Sequence, residues 1–232
     1  MTQTLPPVIT LDGPGGSGKG TVSRRLARAL GWHLLDSGAL YRLVAHAASR
    51  AQIPVSAAAE LGGLARHLLV RFGEHSDGGE LILLAGEDVT EAVRSEACGN
   101  RASEIAALPE VRAGLLDQQR RFRQFPGLVA DGRDMGSTIF PDAGLKIFLT
   151  ASAEVRAQRR YKQLKQKGLN ANLRALFRDI VARDRRDESR AASPLGAALD
   201  AVLVDTTAMS VDAVAARVAA LARERLGLHI GV

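Results

Sequence analysis

The residues with the most chemical content lie near the start of the chain, in Asp12-Gly13-Pro14-Gly15-Gly16-Ser17-Gly18-Lys19-Gly20-Thr21. Glycines let successive backbone N–H groups converge on one anion without interference from a Cβ. A lysine at the end of the run adds a mobile point charge that can reach terminal phosphates. The spacing from Gly13 to Gly18-Lys19 is that of a phosphate-binding loop, which requires a strand before it and a helix after it. Both are predicted. Val8-Ile9-Thr10-Leu11 is a short buried strand, and Val22, Leu26, Ala29 and Leu30 recur at helical spacing up to a stop at Gly31. The N-terminus of that helix adds partial positive charge at the same point. Gly13, Pro14, Gly15, Gly16, Ser17, Gly18, Lys19, Gly20 and Thr21 are therefore the candidates for holding a nucleoside triphosphate. Gly20 stands where many such loops carry Ser or Thr, and Thr21 comes one residue late. No direct side-chain ligand for a metal is predicted.

The elements that must carry such a loop follow in order. Trp32-His33-Leu34-Leu35 reads as a second strand, ending at Asp36-Ser37-Gly38 with Ser37 placed to cap the next helix. Arg42 falls in the first turn of that helix, where a cation opposes the dipole unless an anion sits beside it. Residues 57–69 read as a short helix weakened by Gly62-Gly63. Leu69–Phe72 and Glu80–Leu84 form a hairpin around Ser76-Asp77-Gly78-Gly79, and Asp88-Val89-Thr90 is a third antiparallel strand. Residues 91–124 are helical with a break at Pro109. Gly127–Ala130, Leu145–Leu149 and Ala201–Asp205 complete the core strands, and Val211–Leu226 is a closing amphipathic helix. Alternation of strand and helix predicts an α/β fold with a parallel sheet.

Composition narrows the setting. A chain of 232 residues with 46% hydrophobic and 24% charged residues can build one sizeable core. No apolar run approaches the ~18–20 residues needed to span a bilayer, and Met1-Thr2-Gln3-Thr4 lacks the basic start of a secretory signal. A single cysteine, Cys98, excludes an internal disulfide, so the cytoplasm is the expected location. The net charge of +6 is local: residues 156–190 hold twelve Lys/Arg against four Asp/Glu, leaving the remainder near −2. One strongly anion-attracting region fits this better than a basic coat for nucleic acid.

Two further segments can meet anions. Asp131-Gly132-Arg133-Asp134-Met135-Gly136 leaves the carboxyl end of a core strand, where ligands gather in doubly wound sheets. Arg133 offers a planar fork for phosphate, and Asp134 an acceptor for an exocyclic amine. The basic region reads as a helix from Ser152 to about Lys165 carrying Arg156, Arg159 and Arg160, a break at Gly168, and a second helix from about Asn172 to Arg183. The mixed signs of Arg183-Asp184-Arg185-Arg186-Asp187-Glu188-Ser189-Arg190 suit a ribose, which needs an acceptor, beside a phosphate, which needs donors.

The variant Gly18-Lys19-Gly20-Thr21 resembles nucleoside monophosphate kinases. Together with Leu35–Arg42, Ala130–Gly136 and Arg183–Pro194, it resembles bacterial cytidylate kinases nearly end to end. That resemblance implies a single P-loop kinase domain over 1–232: a five-stranded parallel sheet, order 2-3-1-4-5, flanked by helices. It implies a core of 1–56, 100–155 and 190–232, an acceptor-binding antiparallel insertion at about 57–99 and a helical lid at about 156–189. The reaction it implies is γ-phosphoryl transfer from ATP, with Mg²⁺, to CMP and dCMP. Lys19, Arg133 and a lid arginine, Arg159 or Arg160, would be catalytic. Ser37, Arg42, Arg133 and Arg190 would hold the acceptor phosphate, Ser103, Arg112 and Asp134 the base, and Arg183 with Asp187 the ribose. A monomer acting on small nucleotides, with neither nucleic acid nor membrane as partner, is expected. Two alternatives stay open: a kinase for another small acceptor such as UMP, shikimate or dephospho-coenzyme A, and a nucleotide-gated RNA-binding module. Against the latter, only 4% of residues are aromatic, too few for a base-stacking surface.

Overall fold

A computed structural model describes residues 5–76, 79–190 and 193–228. The chain divides into two compact units, one formed by Met1–Asp36 with Gln119–Val232 and the other by Ser37–Gln118.

The first unit is built on five parallel strands: β1 (Val8–Asp12), β2 (His33–Asp36), β6 (Leu128–Gly132), β7 (Leu145–Thr150) and β8 (Val202–Asp205). They lie in the order β2-β6-β1-β7-β8, which among themselves is the expected 2-3-1-4-5. Every residue of β1 and of β6 is buried, which is why Val-Ile-Thr-Leu reads as a continuous apolar run rather than an alternating one. The register Asp12↔Gly132, Asp36↔Asp131 and Thr150↔Asp205 brings the carboxyl ends of the strands level. Helices α1 (Lys19–Leu30) and α9 (Val211–Leu226) bury Val22, Leu26, Val214, Val218 and Leu221 against Ile9, Leu11, Ile147 and Leu149. Truncating one such core leucine costs about 2–5 kcal/mol.

Two basic helices, α7 (Ala153–Gln166) and α8 (Leu173–Glu188), pack on one another. Ser152 caps α7 at Val155 N–H and Asn172 caps α8 at Ala175 N–H. Helix α8 extends past the expected Arg183 to Glu188, which places Arg183, Asp184 and Asp187 on one helix.

The second unit takes in the expected 57–99 insertion together with α2 (Ser37–Arg50), α5 (Glu96–Ile105) and most of α6 (Pro109–Arg121). Its three-stranded sheet, β3 (Val70–Glu74), β4 (Glu80–Leu84) and β5 (Glu87–Asp88), is antiparallel with Val70↔Leu84 in register. Thr90 is not strand: Asp88 Oδ1 accepts from both Thr90 N–H and Thr90 Oγ1, and the helix α4 (Thr90–Arg94) begins there. Gly62 does not break α3 (Ala58–Arg66); a Cβ on it would stand 2.9 Å from the Glu110 carbonyl, so it allows α6 to approach closely. The expected Asp77-Gly78 turn and the segment Met1–Thr4 lie outside the described residues, although His75 N–H does bond Gly79 O across the hairpin.

Candidate active site

β1 delivers the chain to the loop through Gly13, whose φ is +141° and whose Cβ, if it had one, would stand 2.0 Å from Leu149 O. Only glycine fits between these strands. Gly16 (φ +80°) and Gly18 (φ +97°) are also left-handed, and Gly18 stands at the cap position just before α1, which no side chain caps. No acidic residue occupies the first turn of α1, so its N–H groups and dipole are suited to an anion.

Lys19, the first residue of α1, is only 6% exposed. Its Nζ donates to Pro14 O at 2.9 Å and lies 4.0 Å from Asp131 Oδ1. Burial, reinforced by the neighbouring Arg133 and only partly opposed by Asp131 and Asp12, lowers its pKa from 10.5 to about 7. Asp12 is buried beside it, accepting Met135 N–H and Gly136 N–H at 2.8 Å each. Burial outweighs those bonds and, with Asp134 nearby, raises its pKa to about 6. Asp12 thereby ties the end of β1 to the turn that leaves β6, a short π-helix over Met135–Ile139. Asp134, 4% exposed, heads that turn, its carbonyl accepting Thr138 N–H and Ile139 N–H.

A group of arginines meets at Asp187, which is 1% exposed. Arg133 Nε donates to its Oδ2 at 3.1 Å, Arg190 Nη2 to its Oδ1, and Arg183 Nε stands 4.0 Å away. Burial alone would raise the Asp187 pKa, but Arg133, Arg190 and Arg183 together hold it below the ordinary carboxylate range. Two of these arginines also face the loop, since the Cβ position of Gly15 lies 3.5 Å from Arg133 Nη2 and 3.8 Å from Arg183 Nη1. In the first unit the structure thus gathers Gly15, Lys19, Arg133, Arg183, Asp187 and Arg190.

The two lid arginines differ. Arg159 donates to Thr206 Oγ1 at 3.1 Å and to the Thr206 and Met209 carbonyls, so it secures the turn between β8 and α9. Arg160 bonds Gln163 at the helix surface. Thr21 is exposed, whereas Ser17 Oγ is buried without a hydrogen-bond partner. Gly20 faces Asp131, its Cβ position 3.2 Å from Oδ2.

In the second unit Ser37 begins α2 and is 3% exposed. Arg42 Nη1 donates to Val93 O at 2.6 Å and to Ser95 O at 2.9 Å. Gly99 gives that guanidinium room, as a Cβ there would come within 2.6 Å of Arg42 Nη2. Ser103 is buried on α5, and Arg112 on α6 reaches Ala106 O at 3.5 Å.

Sequence reasoning assigned no role to Asp12, Thr206 or the pair Arg156–Asp184. Arg156, 4% exposed, makes hydrogen bonds to Gly15, Ala151 and Asp184. Its sequence position carried a signal: a cation in the first turn of a helix opposes the dipole and calls for an acidic partner.

The sequence profile of the cytidylate kinase family matches residues 9–224. A protein of Stutzerimonas stutzeri named cytidylate kinase is 57% identical over 213 residues, 91% of this chain and 93% of its own. One of Aeromonas salmonicida with the same name is 54% identical over 223 residues, 96% of each chain. One of Pectobacterium carotovorum, also so named, is 53% identical over 223 residues, 96% of this chain and 98% of its own.

Proposed function

This chain belongs to the cytidylate kinase family, and we propose that it transfers the γ-phosphoryl group of ATP to CMP, and to dCMP, giving ADP and the diphosphate. The observation that carries the reading is the convergence of Lys19, Arg133 and Arg183 on a glycine loop at an uncapped helix N-terminus. Phosphoryl transfer asks little covalent work of a protein; it asks for alignment, charge neutralisation and exclusion of water. Lys19 and the backbone N–H groups of Gly13–Thr21, Pro14 excepted, hold the donor phosphates. Arg133, already desolvated, acts on the charge of the transferring group, where a preorganised donor is worth most. Of the lid arginines, Arg160 is assigned to the transferred group, because the guanidinium of Arg159 is taken up by Thr206 and Met209.

The acceptor assignments follow the family resemblance. Ser37, Arg42, Arg133 and Arg190 take the CMP phosphate, Ser103, Arg112 and Asp134 the base, and Arg183 with Asp187 the ribose. Among the described residues no group of three or more His, Cys, Asp and Glu could hold a metal by itself. Asp131, facing Gly20 and near Lys19, fits a group that holds the water of a Mg²⁺ carried on the nucleotide phosphates. Such an ion would supply charge neutralisation at the phosphates. No described helix is long and apolar enough to cross a membrane. Cytoplasmic residence, a monomer and small nucleotides as the working partners complete the reading.

A coupled assay offering CMP, dCMP, UMP, AMP and shikimate in turn tests it. Highest kcat/KM with CMP or dCMP is expected; turnover with shikimate or AMP alone, or none with any acceptor, overturns it.

The electrostatics of Lys19 give a second test. With its pKa near 7, Lys19 is largely neutral at pH 8, and a polyanion beside it restores the charged form. ATP binding at pH 8 is expected to take up close to one proton more in the wild type than in Lys19→Met, and less of this difference to remain at pH 6. Calorimetry in buffers of different ionisation enthalpy reads the difference directly. Equal proton uptake by both proteins at pH 8 would mean that Lys19 carries the same charge with and without ATP.

A further inference from the structure

We propose that Arg156, clamped by Asp184, is the residue that aims the donor loop, a role that rests on reading Gly13–Thr21 as the donor-phosphate site. The guanidinium of Arg156 serves four acceptors at once. Nε donates to Ala151 O at 2.9 Å, Nη1 to Gly15 O at 3.1 Å and to Asp184 Oδ1 at 3.0 Å, and Nη2 to Asp184 Oδ2 at 2.5 Å. The pair is bidentate and nearly dry, with side chains 5% and 16% exposed, so its geometry is rigid.

The consequence for the loop follows from peptide geometry. In a planar trans peptide the C=O and the next N–H point in opposite directions. Holding Gly15 O toward Arg156 therefore turns Gly16 N–H away from α7. Gly16 can take this orientation because its φ is +80°, and a Cβ there would come 3.1 Å from Arg156 Cβ. Two peptides further on, Thr206 Oγ1 lies 3.1 Å from Ser17 O and holds that carbonyl in the same way, which turns Gly18 N–H. Arg156 is the more consequential anchor because it links the loop to both lid helices: it sits in the first turn of α7, and Asp184 sits on α8 between Arg183 and Asp187. A cation at that end of α7 opposes the helix dipole, and Asp184 is the charged group that offsets it, beside the Ala151 and Gly15 carbonyls. Removing the charge of Asp184 releases Arg156 from its fixed rotamer and, with it, the loop peptide. Arg156 and Asp184 are thus positioning residues, since no contact with either nucleotide is required of them.

The test uses the full chain and three readouts: ATP affinity by calorimetry without acceptor, KM for each nucleotide, and amide exchange at Gly16 and Gly18. Asp184→Asn should weaken ATP binding about tenfold, equivalent to ~1.4 kcal/mol, while KM for CMP stays within about twofold. Amide exchange in the loop should quicken by a comparable factor. Arg156→Lys should not rescue binding, because a compact ammonium cannot reach Gly15, Ala151 and both Asp184 oxygens together. Where Asp184→Asn fails to fold, Asp184→Glu keeps the charge one methylene further out and should still weaken ATP binding by about threefold. Unchanged ATP affinity in a folded variant, or equal rises in KM for ATP and CMP, would reduce the pair to a structural ion pair. If the wild type binds ATP but phosphorylates no CMP, the family reading fails while the loss of ATP affinity in Asp184→Asn still supports the loop assignment.

Discussion

Lys19→Met should lower kcat/KM for ATP by about 10²–10³-fold, the range found when one preorganised donor to a developing charge is removed, while raising stability near and below neutral pH. The two effects have one origin. Lys19 is buried beside Arg133 and Arg183, and its pKa falls from 10.5 to about 7. A buried base whose folded pKa lies below its unfolded one costs no stability above the unfolded pKa, and the cost grows as pH falls from the unfolded value to the folded one. As pH falls from 10.5 toward 7 the native state therefore loses stability relative to the unfolded chain. Methionine has nearly the same shape and carries no charge, so this slope should disappear and Tm at pH 6 should rise. Measuring steady-state kinetics and thermal unfolding from pH 6 to 9 decides it. Activity within tenfold of wild type would take Lys19 out of the donor site; a fall in Tm at pH 6 would mean that its hydrogen bond to Pro14 O outweighs its desolvation.

Asp134→Asn is expected to cut kcat/KM for CMP by more than tenfold and that for UMP by less. Cytosine offers an exocyclic amine where uracil offers a carbonyl. A carboxylate can only accept, so it suits the first and repels the second, whereas an asparagine amide can donate to the carbonyl. A hydrogen bond to a charged group contributes about 1.5–3 kcal/mol, and leaving a buried polar group unpaired can be worth a factor of ~10⁴ in discrimination. Asp134 is 4% exposed, so water does not make good a mismatch. Its removal also relieves Asp12, whose pKa its charge helps to raise, so the activity loss should come without a loss of stability at pH 7 from that source. Both monophosphates must be assayed in both proteins. A ratio of CMP to UMP that does not move leaves Asp134 a neighbour of Asp12 with no part in reading the base.

Much of this was legible in the chain because it depends on spacing over a few residues. A run of glycines ending in lysine between an apolar tetrad and a helical repeat allows only one local geometry, and Gly13, Gly16 and Gly18 do adopt the φ values that spacing needs. Five apolar segments alternating with helices specify a buried parallel sheet in the same local way. The excess of basic residues in 156–190 was visible as a count. What that count could not distinguish was the use of each arginine. Arg156, Arg159 and Arg160 lie within five residues, yet one clamps Asp184, one secures Thr206 and one bonds Gln163 on the helix surface. Those fates depend on partners 28 and 47 positions away for the first two. Asp12 likewise holds N–H groups 123 and 124 positions distant, and Asp187 draws in Arg133 from 54 away. The depressed pKa of Lys19 and the raised one of Asp12 belong to the same class. Desolvation is a property of everything packed around a charge, so no local pattern in the chain encodes it, and only the folded arrangement sets it.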